Sequence, residues 1–219
     1  LGDIKMDNIL TESNQKTDEL EKLITDLKKL VKLVEEQGCE AKIIDTKDIV
    51  VDERARLKCM YPPCRWYGSS IMCPPHLKLV PSVTRRIIRK YKFAILIRLK
   101  TPVEDLAGPE WTKRHVPHEL KLREIVNLVE SEAYNMGYYF ALGFAAGECS
   151  LCLSKHLECD ALKTGKCRYP LRARPAMEAA GIDVFATVKK AGWPIYTISS
   201  SKDMRLIPCA ALYGLILIH

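Results

Sequence analysis

Cysteine placement constrains this chain more than any other feature. Of its nine cysteines, seven fall in two groups: Cys59, Cys64 and Cys73, the last followed by Pro74 and Pro75, and then Cys149, Cys152, Cys159 and Cys167. A thiol set of this size serves as disulfides, as zinc ligands or as ligands of cluster iron. At 219 residues the chain can bury a full core without covalent staples. Residues Leu1 to Asn14 carry neither a basic start nor an apolar run, so no signal peptide is expected. The longest apolar stretch, Ala210 to Ile218, is too short to span a bilayer. These features point to a soluble cytoplasmic protein, where thiols stay reduced and grouped cysteines are more often ligands than bridges.

The second group has two residues between Cys149 and Cys152, then six before Cys159 and seven before Cys167. A CxxC pair can turn both sulfurs toward one point, and Gly147 just ahead permits the close backbone approach that a cluster needs. Four thiolates complete a tetrahedral set for zinc or a cubane set for iron. Structural zinc favours two paired knuckles; one pair followed by two isolated cysteines tilts toward iron–sulfur.

The first group leaves four residues and then eight between its cysteines. A proline after a ligand cysteine removes a donor and fixes the exit of the chain, as in ferredoxin-type ligation. Three ligands leave a fourth position to His76, Cys39, Cys209 or a non-protein group. His76 reads more simply as a surface residue, and Cys39 and Cys209 as single thiols in apolar surroundings. A cluster iron without a protein ligand acts as a Lewis acid, by analogy with the open position of catalytic zinc.

The formal charge of +7 suits a nucleic acid, an acidic partner or an internal anion. Arg85, Arg86, Arg89, Lys90 and Lys92 read as the solvated face of a helix. Lys163, Lys166, Arg168, Arg172 and Arg174 surround the second group, where cations offset the negative charge of a thiolate-bound cluster. Arg172 and Arg174 are candidates to hold that charge or an incoming anion, with Glu178 orienting one of them. Tyr61, Trp66 and Tyr67 are placed to shield the first group from water. His115 and His118 have no metal-binding pattern around them and read as surface residues. No glycine-rich phosphate loop, GxSxG elbow or nucleic-acid motif appears.

Apolar periodicity predicts an amphipathic helix over Thr17 to Gln37, one or two short strands over Ala41 to Val51, a helix over Pro81 to Tyr91 and a strand over Lys92 to Leu99. A loop over Thr101 to Pro117 precedes a second helix, Leu122 to Met136. A buried strand over Tyr138 to Ala145 leads into the second cysteine group. Arg174 to Ala180 and Val184 to Ala191, the latter capped by Asp183, read as short helices. Ile195 to Ser199 and Ala210 to Ile218 complete the strands. The fold class is therefore mixed α/β (α+β): one central sheet from strands near Ile43, Ala94, Phe140, Ile198 and Leu215, flanked by helices, with two cysteine-rich metal-binding loops at strand ends. Residues 17–219 read as a single metal-binding domain and 1–16 as an N-terminal tail. Leu1 to Lys5, ahead of Met6, is open to reading as a cloning remnant or as part of a longer gene product.

The segments RLKC (Arg56 to Cys59), CRWYG (Cys64 to Gly68), MCPP (Met72 to Pro75), FALGFAAGECSLC (Phe140 to Cys152), CRYP (Cys167 to Pro170) and ARPAMEAAGIDVF (Ala173 to Phe185) resemble a known family. It is the prokaryotic family of cysteine-rich, metal-binding proteins of unknown function, found largely in anaerobic bacteria and archaea. The resemblance runs from the Leu23 helix to Ile218. It implies metal or cluster ligation by the seven motif cysteines and gives His76, Cys39 and Cys209 no role. Together with the spacing, it sets the expectation of two [4Fe–4S] clusters, with zinc as the alternative, in an electron-transfer or redox-accessory protein of anaerobic metabolism. The expected partner is a redox protein, with no membrane and no nucleic acid. The runner-up is an enzyme using the three-cysteine cluster as Lewis acid; a structural zinc scaffold is the third reading.

Overall fold

The computed structural model describes residues 3–107, 110–198 and 203–219, with side chains from residue 17 onward. Four strands, β1 Glu40–Asp45, β2 Phe93–Thr101, β3 Leu142–Phe144 and β4 Ala210–Leu217, form one sheet in the order β1-β2-β4-β3. Every neighbouring pair is antiparallel. The helices are α1 Asp3–Glu36, α2 Glu53–Met60, α3 Pro81–Ile88, α4 Val103–Leu106, α5 Trp111–Asn135, α6 Ser150–Leu153, α7 Asp160–Thr164 and α8 Val184–Lys190. The chain is thus mixed α+β, as the sequence implies.

Strand β2 explains the layering. Side chains alternate across a strand, and both faces of β2 are buried, so it reads as a continuous apolar run. Ile95, Ile97 and Leu99 face a core built with Leu23, Leu27, Leu30 and Val34 of α1 and Leu122, Ile125, Val126 and Val129 of α5. Ala94 and Leu96 face a second core with Leu215, Leu217, Met177, Ile182, Val184 and Val188. Each fully buried aliphatic side chain contributes roughly 1.5–3 kcal/mol, so the central pair β2–β4 anchors both layers. Helix α5 lies close on the sheet because Gly143 and Gly214 face it: a Cβ there would stand 2.5 and 2.8 Å from Val126.

Four expectations differ in detail. Over Arg174 to Ala180 the helical residues are a single 3-10 turn, Glu178–Ala180, while Ala176 bridges to Ala145. The segment 195–198 does not join the sheet; Ile195 packs against the second core instead, and Ser199 lies outside the described residues. Pairing of β3 starts only at Leu142, and Phe140 is 84% exposed. Helix α5 begins at Trp111 and runs through Pro117, so part of the expected loop is helical, and α4 fills more of it. Proline removes one intrahelical bond, but the apolar face from Leu122 to Ala133 packs along its length and carries the helix. Asp183 caps α8 as expected, accepting from the Ala186 N–H at 3.0 Å. Among the described residues no helix is long and apolar enough to cross a membrane.

Candidate metal centres

Helix α2 is only eight residues long and has little apolar character of its own, so its ends need fixing. The Asp52 carboxylate caps it, accepting from the Arg54 N–H at 2.8 Å. Arg56, buried on the same helix, donates to the carbonyls of Leu77 (2.9 Å), Leu79 (3.2 Å) and Ala179 (2.5 Å). One guanidinium therefore ties α2 to the chain leaving Cys73 and to the turn at 178–180. Cys59 sits one turn beyond Arg56, on a helix rather than in a loop at a strand end. The backbone then folds back on itself: Cys64 N–H donates to Cys59 O, Gly68 N–H to Pro74 O and Cys73 N–H to Ser70 O. This brings Cys59, Cys64 and Cys73 to the wall of one cavity of about 810 Å³.

The second group follows β3. Ala145 bridges to Ala176, and Arg123, wholly buried on α5, donates to the carbonyls of Arg174 (2.5 Å), Ala146 (3.4 Å) and Glu148 (2.7 Å). The chain that carries Cys149 is thereby pinned from both sides. Cys152 lies in α6, Cys159 immediately precedes α7, and Cys167 follows the turn at Gly165. Together with Cys149 they line one crevice of about 10 Å³, whose far side is Ser70, Ile71 and Met72 from the first group's loop. The stretch from Ser70 to Cys73 thus borders both sites.

All nine thiols are free, and their surroundings favour charge on sulfur only where a donor or a cation is supplied. Burial, the Glu178 carboxylate and the neighbouring Cys64 and Cys73 push the Cys59 thiol up to about 11, against the opposing effect of Arg56. Burial raises Cys149, with Arg123 and the Leu151 N–H pulling the other way. Burial and Cys159 raise Cys152, while Arg168 opposes them. Two further sulfurs accept a backbone N–H from two residues on: Cys64 from Trp66 at 3.2 Å and Cys167 from Tyr169 at 3.4 Å. Closely set thiols that resist joint ionisation are a donor set that a bound cation stabilises.

The candidates for a fourth ligand at the first site lie elsewhere. Cys39 is buried in the core between α1 and the sheet, Cys209 donates to Ala210 O, and His76 is exposed; none lines the cavity. Trp66 and Tyr67 do line it, while Tyr61 is 80% exposed and shields nothing. Arg172 and Arg174 are taken by α5: Arg172 pairs with Glu124 at 3.0 Å and Arg174 forms a forked pair with Glu130. Glu178 orients neither. It lines the cavity with an exposed side chain.

A third set of polar groups lies in the same cavity. His115, read from sequence as a surface residue, is 2% exposed, and it stands with Glu119 and Glu148 so that one ligand atom from each lies within 4.8 Å of the others. Burial and the Glu148 charge push the Glu119 carboxyl up to about 9, against Ser150 and Arg123. The signal in the sequence is His-xxx-Glu, one helical turn apart, and it shows only once Pro117 lies inside the helix. His118 is partly exposed and pairs with Asp105 at 2.8 Å.

The fold and these donor sets define a cysteine-rich protein of the metal-binding class. The family model described as "Predicted metal-binding protein (DUF2284)" matches residues 42–218, and the chain belongs to that family. The match spans both cysteine groups and all four strands except the first residues of β1. No curated protein and no solved structure matches the chain.

Proposed function

We propose that the seven grouped cysteines hold two iron–sulfur clusters and that the protein works in electron transfer, with a redox protein as partner. The observation that carries this reading is the division of the thiols into a closed set of four and an open set of three, joined through the segment 70–73. Sequence spacing supports clusters over single ions: one CxxC pair followed by two isolated cysteines departs from the two paired knuckles that structural zinc favours. When bound, such a cluster supplies one-electron transfer at a potential tuned by charge, N–H···S bonds and exposure. The residues that do this tuning are the N–H groups of Trp66, Leu151 and Tyr169 and the cations Arg123 and Arg168.

A specific observation favours a second reading for the first site. Cys59, Cys64 and Cys73 face a substrate-sized cavity that none of Cys39, Cys209 and His76 enters. That is the arrangement an enzyme with a Lewis-acid cluster iron requires.

Anaerobic reconstitution with iron, zinc and acid-labile sulfide quantification tests the proposal. Two clusters predict roughly eight irons and eight sulfides per chain and a paramagnetic signal on reduction. Zinc without sulfide overturns the cluster reading and leaves the structural zinc scaffold.

A further inference from the structure

We propose that His115, Glu119 and Glu148 form a separate site for one divalent first-row metal ion, manganese(II), iron(II) or zinc(II). It opens into the cavity that the first cysteine group lines.

The argument starts from a nitrogen without a partner. His115 Nδ1 lies 3.1 Å from the Trp111 carbonyl, which only an N–H can satisfy, so a ring proton sits on Nδ1 and Nε2 is the nitrogen whose lone pair the neutral ring offers to a metal. Nε2 is buried and has no hydrogen-bond partner. It stands 3.9 Å from Glu119 Oε1 and 3.9 Å from Glu148 Oε1, too far for a hydrogen bond. Donors held about 2.0–2.2 Å from one ion stand roughly 3–3.6 Å apart, so small side-chain movements would close this set on a metal.

The two carboxylates are also prepared. Their side chains are 7% and 3% exposed, and Ser150 Oγ lies 3.2 Å from a carboxylate oxygen of each, able to hold either one. Gly147 lets the chain pass against Glu119; a Cβ there would fall 2.0 Å from Glu119 Oε1, at a backbone φ of +67° that itself suits glycine. Buried carboxylates without a cation are costly, and an imidazole with two carboxylates is a donor set for borderline and hard divalent ions rather than soft ones. The cysteine centres have the opposite preference. The cavity leaves the remaining coordination positions to water or to a small ligand, which such an ion would polarise.

Manganese(II) is the probe, because its preference for oxygen and nitrogen leaves the thiolates alone. Titrated into the full-length protein as isolated, it should lose its free paramagnetic signal with one equivalent bound. The bound ion should show a nitrogen hyperfine coupling that changes on 15N-histidine labelling and disappears in His115→Gln. Glu119→Gln combined with Glu148→Gln should weaken binding more than about 100-fold, since even outer partners of a metal cost roughly 10–100-fold. Glu124→Gln, in the surface pair with Arg172, should change nothing. Free manganese(II) undiminished at millimolar concentration overturns the site. So does bound manganese without the histidine coupling, which needs no variant to fold, or wild-type affinity in the double variant.

Discussion

The two cysteine sites are built from the same residue type for opposite exposures. The four-cysteine set closes on a crevice of about 10 Å³ and has cations beside it, Arg123 against Cys149 and Arg168 against Cys152. The three-cysteine set opens on about 810 Å³ whose lining carries more carboxylates, Glu178, Glu119 and Glu148 among them, than cations, Arg54 and Lys58, with Arg56 acting on Cys59. The difference teaches what each is suited to. On the proposed ligation, the four-cysteine site would hold its occupant and exchange only electrons, while the three-cysteine site, with its open volume, would leave room for a reactant.

The comparison can be broken most directly at the sulfurs. Cys152→Ala should empty the closed site and Cys64→Ala the open one, each removing roughly half of the bound iron and sulfide; a variant that loses all or none shows that the sites are not two. Next in size are the buried arginines. Arg123→Met or Arg56→Met leaves carbonyl acceptors without a donor, at about 1–3 kcal/mol for each group left unsatisfied. Denaturant unfolding should read a loss of about 3 kcal/mol for either, with metal content falling at the second site in one case and at the first in the other.

Acid–base behaviour sharpens the contrast further. The Glu119 carboxyl lies above its ordinary value in the folded chain, so its contribution is full below the unfolded pKa and is lost as pH rises toward about 9. The metal-free protein should therefore lose stability between about pH 5 and 8, below the range in which ordinary thiols titrate. Glu119→Gln should flatten that slope. The smallest effect belongs to Asp26, on α1, away from both sites. Burial alone would raise its carboxyl, but Lys22 (2.9 Å) and Lys29 (3.1 Å) bring it below its usual value, and Tyr138 also donates to it. That contribution is present above the unfolded pKa and lost as pH falls through the folded one. Asp26→Asn should cost about 0.5–1 kcal/mol at neutral pH and leave the metal content of both sites unchanged.

Sequence reading recovers what is local. The grouping of the cysteines, α1, β2, β4 and the Asp183 cap all follow from spacing and periodicity within short windows. What escapes is set by partners distant in the chain. Arg172 and Arg174 look free to meet an anion until Glu124 and Glu130 of α5 are folded beside them. Ile195 has the composition of a strand but finds its burial against the second core without joining the sheet. Pro117 argues against helix locally, and only the packing of the face beyond it decides otherwise; the one-turn relation of His115 to Glu119 depends on that same packing. The wall that Ile71 and Met72 lend to the other cysteine group is visible only in three dimensions.

That last arrangement gives the two sulfur sets a common structural element. Met72 is bonded to Cys73 and Ile71 to Met72, and both line the crevice of the opposite group. A backbone shift at Cys73 is passed through one or two peptide units to the wall of the other site, and were both sites filled, any influence of one on the other would be equal in both directions.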